Sequence, residues 1–145
     1  MKKWIIILIV LVIIAIVPIV LLLMQYQSEK NDITRFNLEY EQYKDKTTYG
    51  TSVASLINYA INNNKKHDIQ KDENGKYIDD DKYCVKIEIK MPNSEEEIST
   101  YDMETIATLG VERFVRNFNV LDFKCSNITY NSYGRVSKLV FELSE

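Results

Sequence analysis

An uninterrupted apolar segment near the start of the sequence constrains this chain more than any other feature. Residues 4–24, from Trp4 to Met24, contain no charged side chain, and Ile, Val and Leu make up nearly all of them. A helix that rises about 1.5 Å per residue would span about 30 Å here, the thickness of the hydrocarbon core of a bilayer. The segment therefore predicts a transmembrane helix that contacts the lipid bilayer through residues 4–24.

A cleaved signal peptide is the main alternative to a retained anchor. Such a peptide has a basic start, an apolar stretch of about 7 to 15 residues and a cleavage site with small side chains. Lys2 and Lys3 supply the basic start, but the apolar run is longer, and no small residue follows it before Ser28. We therefore predict a retained signal anchor that crosses the cell membrane once.

The basic residues also predict an orientation. Lys and Arg close to a membrane helix favour the cytoplasmic side, whereas Asp and Glu contribute little. Lys2 and Lys3 adjoin the apolar segment, while Lys30 and Arg35 stand farther from its other end. We expect residues 1–3 to form a cytoplasmic tail and the C-terminal domain to lie outside the membrane.

The remaining chain is acidic. Lys2 and Lys3 are the only charged residues before position 25, so residues 25–145 hold 16 basic and 21 acidic side chains, a net charge of −5. This length suits one small domain with its own core. The acidity disfavours nucleic acid as a partner, because nucleic-acid binding needs a basic face.

A stripe of mainly aromatic side chains follows the apolar segment at helical spacing, hereafter the aromatic stripe. The stripe comprises Ile33, Phe36, Tyr40 and Tyr43, which share one face of a helix. We predict an amphipathic stalk helix over residues 25–46. Packing of this stripe on the protein's own sheet is favoured, since a coiled coil prefers aliphatic a and d positions over several heptads. A helix-mediated oligomer stays open as the alternative.

A second helix, several strands and a further helical segment are predicted within residues 47–145. The second helix begins near a cap at Thr51 or Ser52 and ends in the asparagines at 62–64. Residues 83–91 alternate as a strand whose solvated face holds Cys84, Lys86, Glu88 and Lys90. Residues 94–101 suit either a strand or a capped helical turn. Helical spacing behind a cap at Asp102 continues to Phe118 and predicts a third helix, although Gly110 could instead end a short helix that leads into a strand. Strands on either side of a turn at 131–134 complete a small α+β domain with an antiparallel sheet.

The sequence offers few residues for catalysis or metal binding. His67 is the only histidine, so a metal site lacks a second nitrogen ligand. The acidic loop at 68–81 does not fit a calcium loop, because a register with Gly75 at its sixth position places Gln70 at the first. We predict no enzyme activity, no cofactor, no metal and no small-molecule substrate.

Two cysteines lie in the predicted extracytoplasmic domain. Cys84 and Cys125 are both expected on strands, without the basic cluster or helix N-terminus that lowers the pKa of a thiol. A disulfide between them would close a loop of about 40 residues and contribute about 3 to 4 kcal/mol. The bonded and the free states both stay open.

Part of the chain resembles small single-pass membrane-anchored proteins of unknown function from low-GC Gram-positive bacteria. The resemblance rests on the run 35–43, on a pattern over 50–64 and on the strand, turn and strand at 131–143; the pattern comprises Gly50, Val53, Leu56, Ile57, Ile61, Asn63 and Asn64. It implies a membrane anchor and a small folded domain, and it implies no particular activity.

The layout is also similar to that of type IV pilins and pseudopilins, in which an apolar helix continues into an amphipathic one before a small sheet. Prepilins carry a Gly immediately before the apolar segment and a Glu at its fifth position, whereas this chain has Lys3 and Leu8 there. The main hypothesis is therefore a non-catalytic, membrane-anchored protein that binds or organises an envelope protein or itself. A pilin-like assembly subunit is the alternative.

Overall fold

The structure is a computed structural model that describes residues 2–93 and 95–144. In this part of the chain the elements are α1 (Lys2–Glu41), β1 (Thr47–Tyr49), α2 (Gly50–Lys66), β2 (Lys86–Pro92), β3 (Ile98–Asp102), α3 (Met103–Leu109), α4 (Val111–Phe118), β4 (Asp122–Tyr130) and β5 (Val136–Leu143). The predicted α+β class is confirmed. Three residues of the predicted segments lie outside the described ones: Met1 in the cytoplasmic tail, Ser94 in the segment predicted as a strand or a helical turn, and Glu145 in the C-terminal domain.

The chain divides into two compact units, Met1–Arg35 and Phe36–Glu145. The first unit holds most of α1, which stays helical through Pro18. Within the described residues, α1 is the one helix long and apolar enough to cross a membrane; its mean hydropathy reaches 3.8 over 18 residues, none of them buried. This helix is compatible with a membrane anchor or with a signal sequence.

The second unit is built on a five-stranded sheet in the order β1-β4-β5-β2-β3. The pairs β1–β4, β4–β5 and β2–β3 are antiparallel, but β2 and β5 are parallel. The prediction of an antiparallel sheet is therefore wrong at this one pair. Strand alternation shows which residues face the core, but it carries no information on the direction of a neighbour that is about 50 residues away in sequence.

One face of the sheet forms the core. Ile87 and Ile89 of β2 and Leu139 and Phe141 of β5 are fully buried, and most apolar side chains of α2 join the same core. The other face carries charged side chains, as the alternation predicts, and cross-strand ion pairs connect β2 to β5. These pairs are Lys90–Glu142 at 2.8 Å and Lys138–Glu88 at 2.7 Å.

Tertiary contacts move several predicted boundaries. α1 ends at Glu41 rather than at residue 46, and α2 begins at Gly50 without a side-chain cap. Neither predicted cap, Thr51 or Ser52, is used, because the strand pairing of β1 continues to Tyr49 and the N–H of Gly50 donates to the carbonyl of the residue before β4. Strand β1 therefore leads directly into the helix.

The segment after β3 forms two short helices, rather than one helix to Phe118 or a helix followed by a strand. Asp102 caps α3 as predicted, and its carboxylate accepts a hydrogen bond from the N–H of Thr105 at 2.7 Å. Gly110, at φ +95°, separates α3 from α4. Phe114 of α4 contacts Phe123 of β4 with ring centroids 5.8 Å apart, which packs α4 against the core.

Candidate functional site

Most of the predicted aromatic stripe packs into the second unit. Tyr40 is fully buried, and Phe36 and Tyr43 are partly buried against the same core. The ring centroids of Phe36 and Tyr40 lie 5.2 Å apart, and that of Tyr43 lies 6.1 Å from that of Phe141. Ile33, the remaining residue of the stripe, belongs to the first unit and is half-buried. Phe36, Tyr40 and Tyr43 therefore contribute to folding rather than presenting a free surface.

Cys84 and Cys125 are free and buried. Strand β5 lies between β4, which holds Cys125, and β2, which Cys84 precedes by two residues. Because neighbouring strands lie about 4.8 Å apart, two strand spacings separate the cysteines by about 10 Å or more. A disulfide needs Cα atoms within about 7 Å. The sheet topology therefore keeps the two thiols apart.

Burial makes both thiols poor nucleophiles. It raises the pKa of Cys84 to about 12, with a smaller contribution from Asp79, and that of Cys125 to about 11. A thiolate is the reactive form of cysteine, and neither residue provides it at neutral pH. Both side chains act as small apolar groups of the core.

The acidic loop uses its carboxylates to hold its own backbone. Asp72 accepts hydrogen bonds from the N–H groups of Asn74 and Lys76, and Asp80 accepts three more from residues 82–84. In the part of the chain that the structure describes, no group of three or more His, Cys, Asp and Glu side chains could hold a metal ion. His67 stacks on Tyr83, with ring centroids 4.0 Å apart and planes 2° from parallel.

Buried asparagines connect distant segments, which sequence reasoning missed. The Asn64 amide donates to the carbonyl of Val85 at 2.8 Å, and its oxygen accepts from the N–H of Val85 at 2.9 Å. Asn37 bonds to the segment between β4 and β5 in the same way. Its amide donates to the carbonyl of Gly134, and its side-chain oxygen accepts from the N–H of Val136. In the sequence, only polar residues beside an apolar helical stripe indicated these contacts. At 62–64 we interpreted the asparagines as the end of a helix and not as partners of another segment.

The second unit carries a groove of about 450 Å³, hereafter the α3–α4 groove. Apolar side chains make up most of its walls. They come from the β2–β3 hairpin and from both short helices: Met91, Pro92, Tyr101, Ile106, Leu109, Phe114 and Phe118. Its volume lies within the range of ligand sites in proteins, about 300 to 1,000 Å³. The sequence did not predict this groove, because its walls come together only when α3 and α4 fold against the hairpin.

Polar groups stand among these apolar walls. Arg113 and Asn117 are one helical turn apart on α4, so they share a face, and Arg113 is the only charged residue among the described residues that line the groove. Asn93 stands in the β2–β3 turn, where its side-chain oxygen accepts hydrogen bonds from the N–H groups of Glu95 and Glu97. Leu109 is 58% exposed and lines the groove from the end of α3.

Comparisons with models of protein families, with curated proteins and with solved structures find no match. The fold and the groove define the class: a small α+β domain that follows one long apolar helix. The groove is the candidate binding site of that domain, because it combines an apolar surface with a few polar groups.

Proposed function

We propose that this protein is a non-catalytic, single-pass membrane protein that presents a binding or organising domain outside the membrane. The observation that carries the proposal is the apolar part of α1, whose most hydrophobic 18 residues are entirely unburied. In water, so much exposed aliphatic surface would be strongly unfavourable. In a bilayer, the same surface is satisfied, and the helix satisfies its own backbone hydrogen bonds.

Retention of this helix and its orientation form part of the proposal. The long apolar run without a small residue at its exit favours a retained anchor over a cleaved signal. Lys2 and Lys3 favour a cytoplasmic N-terminus. The domain that follows would then lie in the extracytoplasmic space of the cell envelope.

A binding role is favoured over catalysis by what the domain offers. The α3–α4 groove supplies an apolar surface with a polar margin, which suits recognition of another molecule. The residues with the most nucleophilic potential, Cys84 and Cys125, are buried and hold their protons at neutral pH. The expected partner is another envelope protein or a second copy.

Membrane extraction combined with intact-mass measurement tests the anchor. We expect the full-length chain, with an uncleaved N-terminus, to stay in the membrane fraction after washing at alkaline pH. An Ile13→Lys, Ile14→Lys double variant should be released, because each lysine at the centre of a membrane helix costs about 3 kcal/mol on insertion scales. The matched control, Leu38→Lys, also adds a charge to α1 but lies outside the apolar segment.

A reporter that is active only outside the membrane, fused to the C-terminus, tests the orientation. We expect activity for the native sequence and a lower signal when Lys2 and Lys3 are both replaced by glutamate. A soluble full-length protein would refute the anchor, and a reporter that is active only in the cytoplasm would refute the orientation. A trimmed N-terminus would refute retention, and trimmed protein within filaments would favour pilin-like assembly instead.

A further inference from the structure

The α3–α4 groove lies beside an edge strand. β3 is the last strand in the sheet order, and within the described residues only its β2 side is paired. Backbone N–H and C=O groups on the open side of an edge strand form a template for another strand. Tyr101 belongs to β3 and also lines the groove, so the template and the apolar surface are adjacent.

This arrangement suits an extended peptide. When a peptide adds to a sheet edge, backbone hydrogen bonds provide affinity, and alternate side chains enter pockets beside the strand. The apolar walls of the groove would receive such side chains. Arg113 and Asn117 carry N–H donors at the same surface, where the carbonyl groups of a bound peptide need partners.

Charge indicates the kind of peptide. The turn before β3 carries Glu95, Glu96 and Glu97, hereafter the acidic turn; all three are exposed, and none forms an ion pair with a described residue. At the other end of β3, Asp102 is already paired with Lys76 at 2.6 Å. An incoming strand would therefore meet uncompensated negative charge at the start of β3, which favours a basic partner.

The same charges disfavour a second copy as the occupant. Residues 25–145 carry a net charge of −5, so a second copy would bring another acidic domain to this edge. Like charges at close range oppose association. A basic partner gains from this field, whereas an identical acidic domain does not.

We propose that the α3–α4 groove and the open edge of β3 bind an extended segment of another protein, with an apolar centre and basic flanks. This inference rests on the binding role proposed above and names its partner class. The segment adds a strand antiparallel or parallel to β3, places an apolar side chain in the groove and sets a Lys or Arg near the acidic turn.

Fluorescence anisotropy tests this proposal with the full-length protein in nanodiscs of neutral phosphatidylcholine. The probe is a labelled peptide of alternating valine and threonine around a central leucine, flanked by lysines. Control peptides carry glutamates or serines at the same flanks. We expect the lysine-flanked peptide to bind about tenfold or more tightly than the glutamate-flanked peptide at low salt, with the difference decreasing as salt screens the charges.

Paired protein variants separate the groove from the rest of the surface. Leu109→Asn should weaken the lysine-flanked peptide about tenfold, because it removes apolar surface at the groove. Leu38→Asn should have no effect, since Leu38 has almost the same exposure, 60% against 58%, but does not line the groove. A Glu95→Gln, Glu97→Gln double variant should reduce the preference for lysine flanks, whereas Glu112→Gln should not.

Methylation of single peptide nitrogens tests strand addition. A peptide that adds to β3 should lose binding when alternate nitrogens are methylated and tolerate methylation at the positions between them. Equal binding of all flanks, insensitivity to Leu109→Asn or no binding at millimolar peptide would each overturn the proposal. Sedimentation that shows a dimer dissolved by Leu109→Asn would assign the groove to a second copy and overturn it as well. The membrane extraction test above has an independent outcome, so failure here would leave the anchor standing.

Discussion

Replacement of Asn64 by alanine should strongly destabilise the second unit. Asn64 is a helical residue with a fully buried side chain, and its amide pairs with both backbone polar groups of Val85, which is itself fully buried. Alanine removes this amide without changing the charge of the protein. The N–H and C=O of Val85 would then lose their partners in a place that water does not reach.

The expected magnitude follows from these two groups. A buried backbone group left without a partner costs about 1 to 3 kcal/mol, and the better helix propensity of alanine offsets about 0.5 kcal/mol. We expect Asn64→Ala to lower the free energy of unfolding by about 3 kcal/mol. For a domain of this size, the melting temperature should decrease by about 15 °C.

The assay must follow the second unit rather than the apolar helix. The only tryptophan, Trp4, lies in that helix, whereas nine of the ten tyrosines follow position 36 and the remaining one is Tyr26. Near-ultraviolet circular dichroism of the tyrosines, with the full chain in detergent micelles, therefore reports the relevant unfolding. Asn62→Ala is the matched control, because Asn62 lies on the same helix but is exposed.

The comparison of the two variants decides the outcome. Both gain the same helix propensity, so their difference isolates the buried hydrogen bonds of Asn64. Faster hydrogen exchange at the amide of Val85 should accompany the loss of stability in Asn64→Ala. If the two variants unfold within about 0.5 kcal/mol of each other, the amide does not hold this segment and the reasoning fails.

Other predictions concern backbone fit, thiols and pH. Gly50→Ala should cost at least about 2 kcal/mol, because its Cβ would clash with the carbonyl oxygen of Phe118, whereas Gly75→Ala, at φ +77° in open space, should cost about 1 kcal/mol in the same melt. Cys84 and Cys125 should resist maleimide at pH 8 until the protein unfolds; a fast reaction in the native state would contradict their burial. Their raised pKa values imply that stability declines from about pH 9 upwards, which alkaline melts can measure. Burial opposes ionisation of Asp80, but three backbone N–H donors hold its pKa low, so stability should decrease as the pH falls below about 4, with a smaller slope in Asp80→Asn.

Much of the secondary structure followed from local patterns. The alternation of residues 83–91 identified the buried face of β2, and Asp102 was recognised as a helix cap. Boundaries were less predictable wherever a distant residue supplied the hydrogen bonds. β2 begins at Lys86 because Asn64 already occupies the backbone groups of Val85. Cys84 also turned out to be buried, although the alternation placed it on the solvated face.

Little of the candidate site could be predicted from the sequence. The aromatic stripe was identified as one helical face, and the preferred interpretation was packing on the protein's own sheet; Phe36, Tyr40 and Tyr43 do contact the core. The groove escaped notice because its walls are apolar residues of separate elements, and nothing distinguishes them locally from core residues. The sequence placed the acidic turn only within residues 94–101, which suited either a strand or a capped helical turn.

The sequence alone determined the long apolar helix, the α+β class and the alternation of buried and exposed strand residues, since these depend on local periodicity and side-chain polarity. Only the tertiary structure decided the parallel pairing of β2 with β5, the separation of Cys84 from Cys125 and the α3–α4 groove. Each of these depends on how segments far apart in sequence meet. That choice comes from the joint packing of one core, which no single segment encodes.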